Sequence, residues 1–104
     1  MANDLQNVHK PWQNIAMGNI VRSVPVDPAE DGDYTNEFGF FIRAGTTGYI
    51  RYCPVGNEDN EYIEKEFTAT ARFIDPEICR KIFGTLEAGS QREMAEDIFV
   101  GFGV

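Results

Sequence analysis

Alternating apolar and polar residues in the middle of the chain predict three consecutive strands. The first run, residues 38–44, alternates between two faces, one of which carries Phe38, Phe40, Ile42 and Ala44. A turn at 45–48 and a second alternating run at 49–55 complete a pattern typical of a hairpin. The third run, residues 62–73, has the same alternation, with its charged face expected to be wet. Together the runs predict a three-stranded antiparallel meander with one buried face.

The segments on either side predict two further strands, a loop and a helix. Residues 14–25 are apolar enough for a strand that bends at Gly18-Asn19, and 26–36 are polar with two nearby prolines, typical of a loop. Asp75-Pro76-Glu77 is the order of residues that favours a helix start, so a short helix is expected over 75–83.

The chain ends in another alternating run. Residues 97–104 place Phe99, Gly101 and Gly103 on the face opposite Ile98 and Val100. Glycines on one face of a strand indicate that a backbone or a flat ring comes close. We therefore expect the last strand to be held within the sheet.

These elements predict one small, mainly β domain. A chain of 104 residues suffices for a single core. Residues 1–13 show no apolar periodicity and are expected to form an arm carrying Trp12, either frayed or docked on a neighbouring subunit. Residues 14–104 are expected to form an antiparallel β-sandwich or jelly-roll-like barrel with one short helix.

Charge narrows the classes of partner. Seventeen acidic and nine basic side chains give a net charge of −8, which repels nucleic acid and anionic membranes. The sequence shows no signal peptide or transmembrane run, so we expect synthesis in the cytosol. Cys53 and Cys79 are accordingly expected to be buried, reduced thiols.

Catalytic and metal chemistry find little support in the sequence, so we predict no enzyme activity, catalytic residue or cofactor. The single histidine, His9, lies in the arm, where it is a poor general base. Cysteine and histidine are too few for a zinc site. The acidic runs 27–33 and 57–61 carry calcium-type ligands without the EF-hand spacing, and solvated turns are the simpler interpretation. Glu64 and Glu66 share a strand face, where solubilising edge charges are commoner than acid–base catalysts.

Aromatic content points instead to association. Eight Phe, four Tyr and one Trp exceed what one small core readily encloses, so some are expected at contacts between molecules. The expected interface residues are Trp12, Phe41, Tyr52, Phe99, Gly101 and Gly103.

Residues 34–104 resemble a group of virion structural proteins. The hairpin around Gly45-Thr46-Thr47-Gly48, the strand 66–73 and the closing run 98–104 are similar to head-associated decoration, cement and vertex spike-base proteins of tailed bacteriophages. The resemblance implies a non-enzymatic β module on the head exterior of a virion, assembled in the host cytoplasm. Its partners would be copies of itself, with a trimer expected, and the major capsid protein. A helix over 75–83 and an arm with Trp12 depart from this pattern.

Other functions stay open at this point. A tail or neck location would suit the same kind of module. A carbohydrate-binding β-sandwich would need a flat row of exposed aromatic rings, and an enzyme subunit or regulator would need a pocket with convergent titratable groups.

Overall fold

The computed structural model describes residues 20–103, which form a mainly β fold. The elements are six strands, one α-helix of four residues and one 3₁₀ turn, with bounds β1 Ile20–Val26, α1 Pro28–Asp31, β2 Tyr34–Ala44, β3 Gly48–Pro54, the 3₁₀ turn Asp59–Glu61, β4 Ile63–Phe67, β5 Cys79–Ile82 and β6 Ile98–Gly103. All pairings between these strands are antiparallel, in the order β1-β6-β2-β5-β3-β4. The predicted class, antiparallel β with one short helix, is confirmed. The choice between a sandwich and a barrel stays a prediction.

The long strand β2 joins the two halves of the sheet. Its first part, from Tyr34 to Phe40, pairs with β5, and its last four residues, from Phe41 to Ala44, pair with β6. One face of the sheet, called here the core face, carries the main apolar cluster. Its largest fully buried side chains include Phe40, Ile42, Ile50, Tyr52, Ile82, Ile98 and Val100.

The predicted meander is wrong in its strand order. β2 and β3 follow each other along the chain, but β5 lies between them and pairs with both. The turn that connects β2 and β3 is bonded instead to the residues just before β6. The Thr46 hydroxyl accepts hydrogen bonds from the backbone N–H groups of Glu96 and Asp97. At Gly48 an added Cβ would lie 2.6 Å from the Ala95 backbone, so this turn packs against a distant segment.

The predicted helix over 75–83 is also wrong, because Cys79–Ile82 form a strand. Tyr52 pairs with Ile82 and Pro54 with Cys79, which leaves one extra residue on β5 opposite the β3 backbone. This bulge turns both Cys79 and Ile82 into the core. Buried residues three positions apart imitate a helical spacing, and the α-helix instead occupies part of the predicted loop, at Pro28–Asp31.

The third predicted strand ends early. β4 stops at Phe67, and the following residues 68–78 form no strand or helix. They return over the other half of the sheet, where the Thr70 N–H donates to the Ala44 carbonyl and the ring of Phe73 covers Gly101. This segment covers what we call the second face of the sheet.

The outer predicted strands are confirmed with altered bounds. β6 matches the alternating run 97–104 closely. β1 is described from Ile20, where the described residues start, to Val26, and its pairing with β6 has an irregularity between Ile20 and Arg22. The predicted bend at Gly18-Asn19 lies outside the described residues.

Candidate interaction surface

A large bulge in β2 presents an aromatic ring to solvent. Thr35 pairs with Lys81 and Phe40 with Cys79, so residues 36–39 of β2 lie opposite Arg80 alone. The Asn36 side-chain oxygen accepts a hydrogen bond from the Phe38 N–H at 2.9 Å. Gly39 has a φ of +86°, in a region that residues with a side chain rarely adopt. These two features hold the segment 36–39, called here the Phe38 bulge, away from the regular strand path.

The bulge separates two phenylalanines that the alternation placed on one buried face. Phe40 is fully buried, packing edge-on against Tyr34 and Phe102. Phe38 is 53% exposed, so its predicted burial is wrong. Of the aromatic side chains between residues 20 and 103, it is the only one classed as exposed. A flat row of exposed rings, which a carbohydrate-binding module would need, is therefore not present on this part of the chain.

Two aliphatic side chains are also strongly exposed. Ile74, in the segment that covers the second face, is 64% exposed, and Val21, on the edge strand β1, is 69% exposed. With Phe38 they are the largest exposed apolar side chains of the described region.

Three of the predicted interface residues do lie together, on the second face. Phe41 pairs with Gly101, and Phe99 is the next residue on that face of β6. The face is already covered, since Phe41 is 2% exposed and a Cβ on Gly101 would lie 2.8 Å from the Phe73 ring. The flat ring expected near these glycines therefore belongs to the chain itself. Gly103 is half-buried opposite Ile20, and Trp12 lies outside the described residues.

Tyr52 lies apart from the other predicted residues, in the core. Its side chain is fully buried, and its hydroxyl donates a hydrogen bond to the Glu77 carboxylate. Lys65 contacts the same carboxylate and forms a second ion pair with Asp75. Burial, and then the bond to Glu77, raise the pKa of the Tyr52 phenol. Tyr52 and Phe41 therefore offer no surface to a partner in this conformation.

The raised pKa predicts a loss of stability in alkali. The unfolded chain releases its phenol protons near pH 10, whereas folded Tyr52 retains its proton. Stability that is present below pH about 10 is therefore lost as the pH rises further. We expect Tyr52→Phe to have a shallower fall in unfolding free energy above pH ~10 than Tyr49→Phe, measured by denaturant titration. Equal slopes in the two variants would contradict the prediction.

Arginine side chains cover several of the aromatic rings that were predicted to exceed what the core can enclose. The Arg43 guanidinium lies 3.9 Å from the centre of the Phe99 ring and 5.4 Å from that of Phe73. Arg51 lies similarly over two rings, 4.0 Å from Phe83 and 4.4 Å from that of Tyr62. Such stacking shields aromatic faces from water. Within residues 20–103, Phe38 is thus the one aromatic side chain that stays largely exposed to solvent.

A groove with an acidic rim lies beside the end of β1. It measures about 520 Å³, and its apolar lining includes Val24, Pro25, Val26, Pro28, Ile98 and Phe99. Five carboxylates surround this lining: Asp27, Asp31, Asp33, Glu96 and Asp97. No basic side chain among residues 20–103 lines it. We call it the acidic groove.

The acidic residues have no metal-binding arrangement in the described part of the chain. No group of three or more Asp, Glu, His or Cys side chains there could hold a metal ion. Glu64, predicted to face water, has a side chain that is 5% exposed, so that prediction is wrong. Its carboxylate instead accepts hydrogen bonds from the Glu87 N–H and the Ser90 hydroxyl and pairs with Arg92. It fastens the segment before β6 to β4.

The two cysteines have the character expected from the sequence. Cys53 and Cys79 are free and buried, as predicted, and burial raises the pKa of both thiols. The helix within residues 20–103 is too short to cross a membrane.

Comparison of the chain with protein-family models, with curated proteins and with solved structures finds no match in any of the three. The exposed residues of the Phe38 bulge and of the segment 68–78 are thus the features from which a function can be argued.

Proposed function

We propose that this protein is a non-enzymatic structural protein of a tailed-phage virion, which associates with copies of itself and decorates or cements the head exterior. The observation that carries the proposal is Phe38, held outside the sheet at 53% exposure by a four-residue bulge. The virion setting comes from the resemblance of residues 34–104 to decoration and cement proteins.

The conformation of the bulge supports a binding role for Phe38. An aromatic ring has few rotatable bonds and a large apolar area, and such residues are enriched among those that contribute most to protein–protein binding. The Asn36 bond and the conformation of Gly39 fix the backbone before any partner arrives. Binding then loses little conformational entropy, so more of the burial energy contributes to affinity.

Ile74 offers a second apolar contact. It lies in a segment whose backbone is anchored to the sheet by the bond from Thr70 to Ala44, and it is 64% exposed. Two small apolar contacts per copy give weak binding between single molecules. On a lattice, simultaneous engagement of several copies of an oligomer raises the overall affinity.

The charge of the protein agrees with a site on the outside of a head. A net charge of −8 keeps a surface protein soluble and repels packaged DNA. The partner surface on the capsid would then be apolar or basic.

Co-sedimentation with phage heads tests the proposal. We expect the wild-type chain to sediment with heads and not with isolated tails, and Phe38→Ser to lose most of this binding because it removes the exposed ring. Glu37→Asp is the matched control, since it changes a neighbouring exposed residue of the same bulge while keeping its charge and removing no aromatic ring. Folding of each variant is checked by circular dichroism.

Two results would contradict the proposal. Wild-type protein that ignores heads and tails alike would refute the virion role, and full binding by Phe38→Ser would refute the role of the bulge. Binding to tails alone would place the protein in the alternative tail or neck location.

A further inference from the structure

A short segment over the second face presents a cation and an aliphatic side chain together to solvent. The ring of Phe73 covers Gly101, while its two neighbours in the chain, Arg72 and Ile74, are both exposed. The backbone here is held in place, because the Arg72 N–H donates to the Thr70 hydroxyl at 3.1 Å and the Thr70 N–H is bonded to β2. We call Arg72 and Ile74 the ridge.

Arg72 differs from the other basic residues of the described region. All basic residues of the chain except Lys10 lie between residues 20 and 103. Within that range Arg72 forms no ion pair and lies over no aromatic ring, whereas each of the others does one or the other: Arg22, Arg43, Arg51, Lys65, Arg80, Lys81 and Arg92. Its charge is therefore available to a partner.

The surroundings of the ridge are basic, although the protein as a whole is acidic. A hollow of about 300 Å³ lies beside the ridge, and more basic than acidic side chains line it: Arg43, Lys65 and Arg72 against Glu66 and Asp75. The net charge of the chain is −8. A second copy of the chain would therefore meet repulsion over most of this surface and attraction at the ridge.

The acidic groove has the complementary character. Its floor is apolar, and of its five rim carboxylates only Asp33 forms an ion pair with a residue between 20 and 103. The rim is also fixed in place, because the Thr46 hydroxyl accepts the N–H groups of Glu96 and Asp97, and Asp33 accepts that of Gly84. A site that is already formed loses little conformational entropy when a partner binds.

The ridge and the groove lie on different parts of the molecule. The hollow beside the ridge and the groove have no lining residue in common. One copy can therefore use its ridge on one neighbour and its groove on another. A contact between two different patches is heterologous, and its head-to-tail repetition closes into a ring when the rotation between copies permits.

We propose that the ridge of one copy docks into the acidic groove of the next, with Ile74 against the apolar lining and Arg72 among the rim carboxylates. The inference rests on the self-association in the proposed function and names the contact that produces it. Burial of Ile74 supplies apolar energy, and Arg72 selects the groove over the rest of an acidic surface. Phe38 belongs to neither patch and stays available to the head.

Two double variants each alter one side of this contact. Arg72→Gln with Ile74→Ser removes the ridge, and Asp31→Lys with Glu96→Lys reverses two charges of the rim; all four side chains are exposed. In sedimentation velocity we expect each variant alone to dissociate at concentrations on the order of tenfold or more above those of the wild type. Added salt should weaken the wild-type assembly in the same direction, because it screens the charges.

A mixture of the two variants tests whether the two patches bind each other. The variant without a ridge keeps an intact groove, and the variant with an altered rim keeps an intact ridge. We therefore expect complexes of one copy of each at concentrations where either variant alone is monomeric. These complexes should not grow further, because the patches left free are both altered.

Each variant has a control with the same kind of change elsewhere. Val21→Ser with Arg22→Gln alters an exposed aliphatic residue and an exposed arginine on β1. Glu37→Lys with Glu93→Lys reverses two exposed carboxylates that do not line the groove. Both controls should assemble as the wild type does, and circular dichroism verifies the folding of all four proteins.

Three results would overturn the proposal while leaving self-association through another surface intact. They are wild-type assembly by either of the two altered-patch variants, no complex in their mixture, and equal loss of assembly in the controls. A wild-type chain that stays monomeric at every concentration would overturn the self-association as well. The test of head binding with Phe38→Ser is separate, since it changes a different surface.

Discussion

Phe40→Ala is expected to lower the free energy of unfolding by about 3–5 kcal/mol, the cost of removing a buried phenylalanine from a packed core. Phe40 is fully buried between Tyr34 and Phe102 and belongs to the main apolar cluster. Denaturant titration at neutral pH measures the change.

Phe38→Ala is the matched control for this substitution. The same change two residues earlier in β2 removes a ring that is 53% exposed, and we expect it to cost about 1 kcal/mol or less. The comparison tests the bulge itself, because an unbroken strand would give the two phenylalanines similar burial. Equal costs for the two variants would contradict the observed pairing of β2 with β5.

Ile82→Ala is expected to cost about 2–5 kcal/mol. Ile82 is fully buried in β5, the strand between β2 and β3, where it pairs with Tyr34 on one side and Tyr52 on the other. Removal of its side chain leaves a cavity in the main apolar cluster.

Ile74→Ala provides the corresponding control. Ile74 is 64% exposed and lies in no strand, so the change should alter stability by about 0.5 kcal/mol or less. A small effect of Ile82→Ala, comparable to that of Ile74→Ala, would mean that β5 is not the central strand described here.

The sequence was sufficient to predict the class of fold and the strands with simple alternation. β6 is confirmed almost residue for residue, and β1 in part, because each has the two-residue period of a half-buried strand. The order of the strands was not predictable in the same way. Pairing of β5 with both β2 and β3 joins residues far apart in the chain, and no local pattern encodes it.

Bulges explain the two largest errors. In β5 an extra residue puts Cys79 and Ile82 on one side, so this strand lacks regular alternation, and the Asp-Pro-Glu before it predicted a helix instead. In β2 a bulge reverses the exposure of Phe38. Asn36 and Gly39 are local signals that could have indicated the second bulge, since one favours a side-chain-to-backbone turn and the other a positive φ.

The predicted interface residues show where alternation stops being informative. The alternation correctly placed Phe41, Phe99 and Gly101 on the face opposite the core face. That face is nevertheless covered, and Phe41 is buried. The segment 68–78 covers them, and its path depends on the bond from Thr70 to Ala44 and on the fit of the Phe73 ring over Gly101. Tyr52, expected at an interface, is buried, because an aromatic residue with a polar end can enter a core when a partner such as Glu77 accepts a hydrogen bond from its hydroxyl.

The proposed function assigns partner binding to side chains that this domain leaves uncovered, and it requires the protein to associate with itself. Sedimentation velocity over a wide range of concentration measures this directly. We predict a species whose mass is a multiple of 11.7 kDa, three copies in the expected case. A wild-type chain that sediments at 11.7 kDa at every concentration would contradict the account.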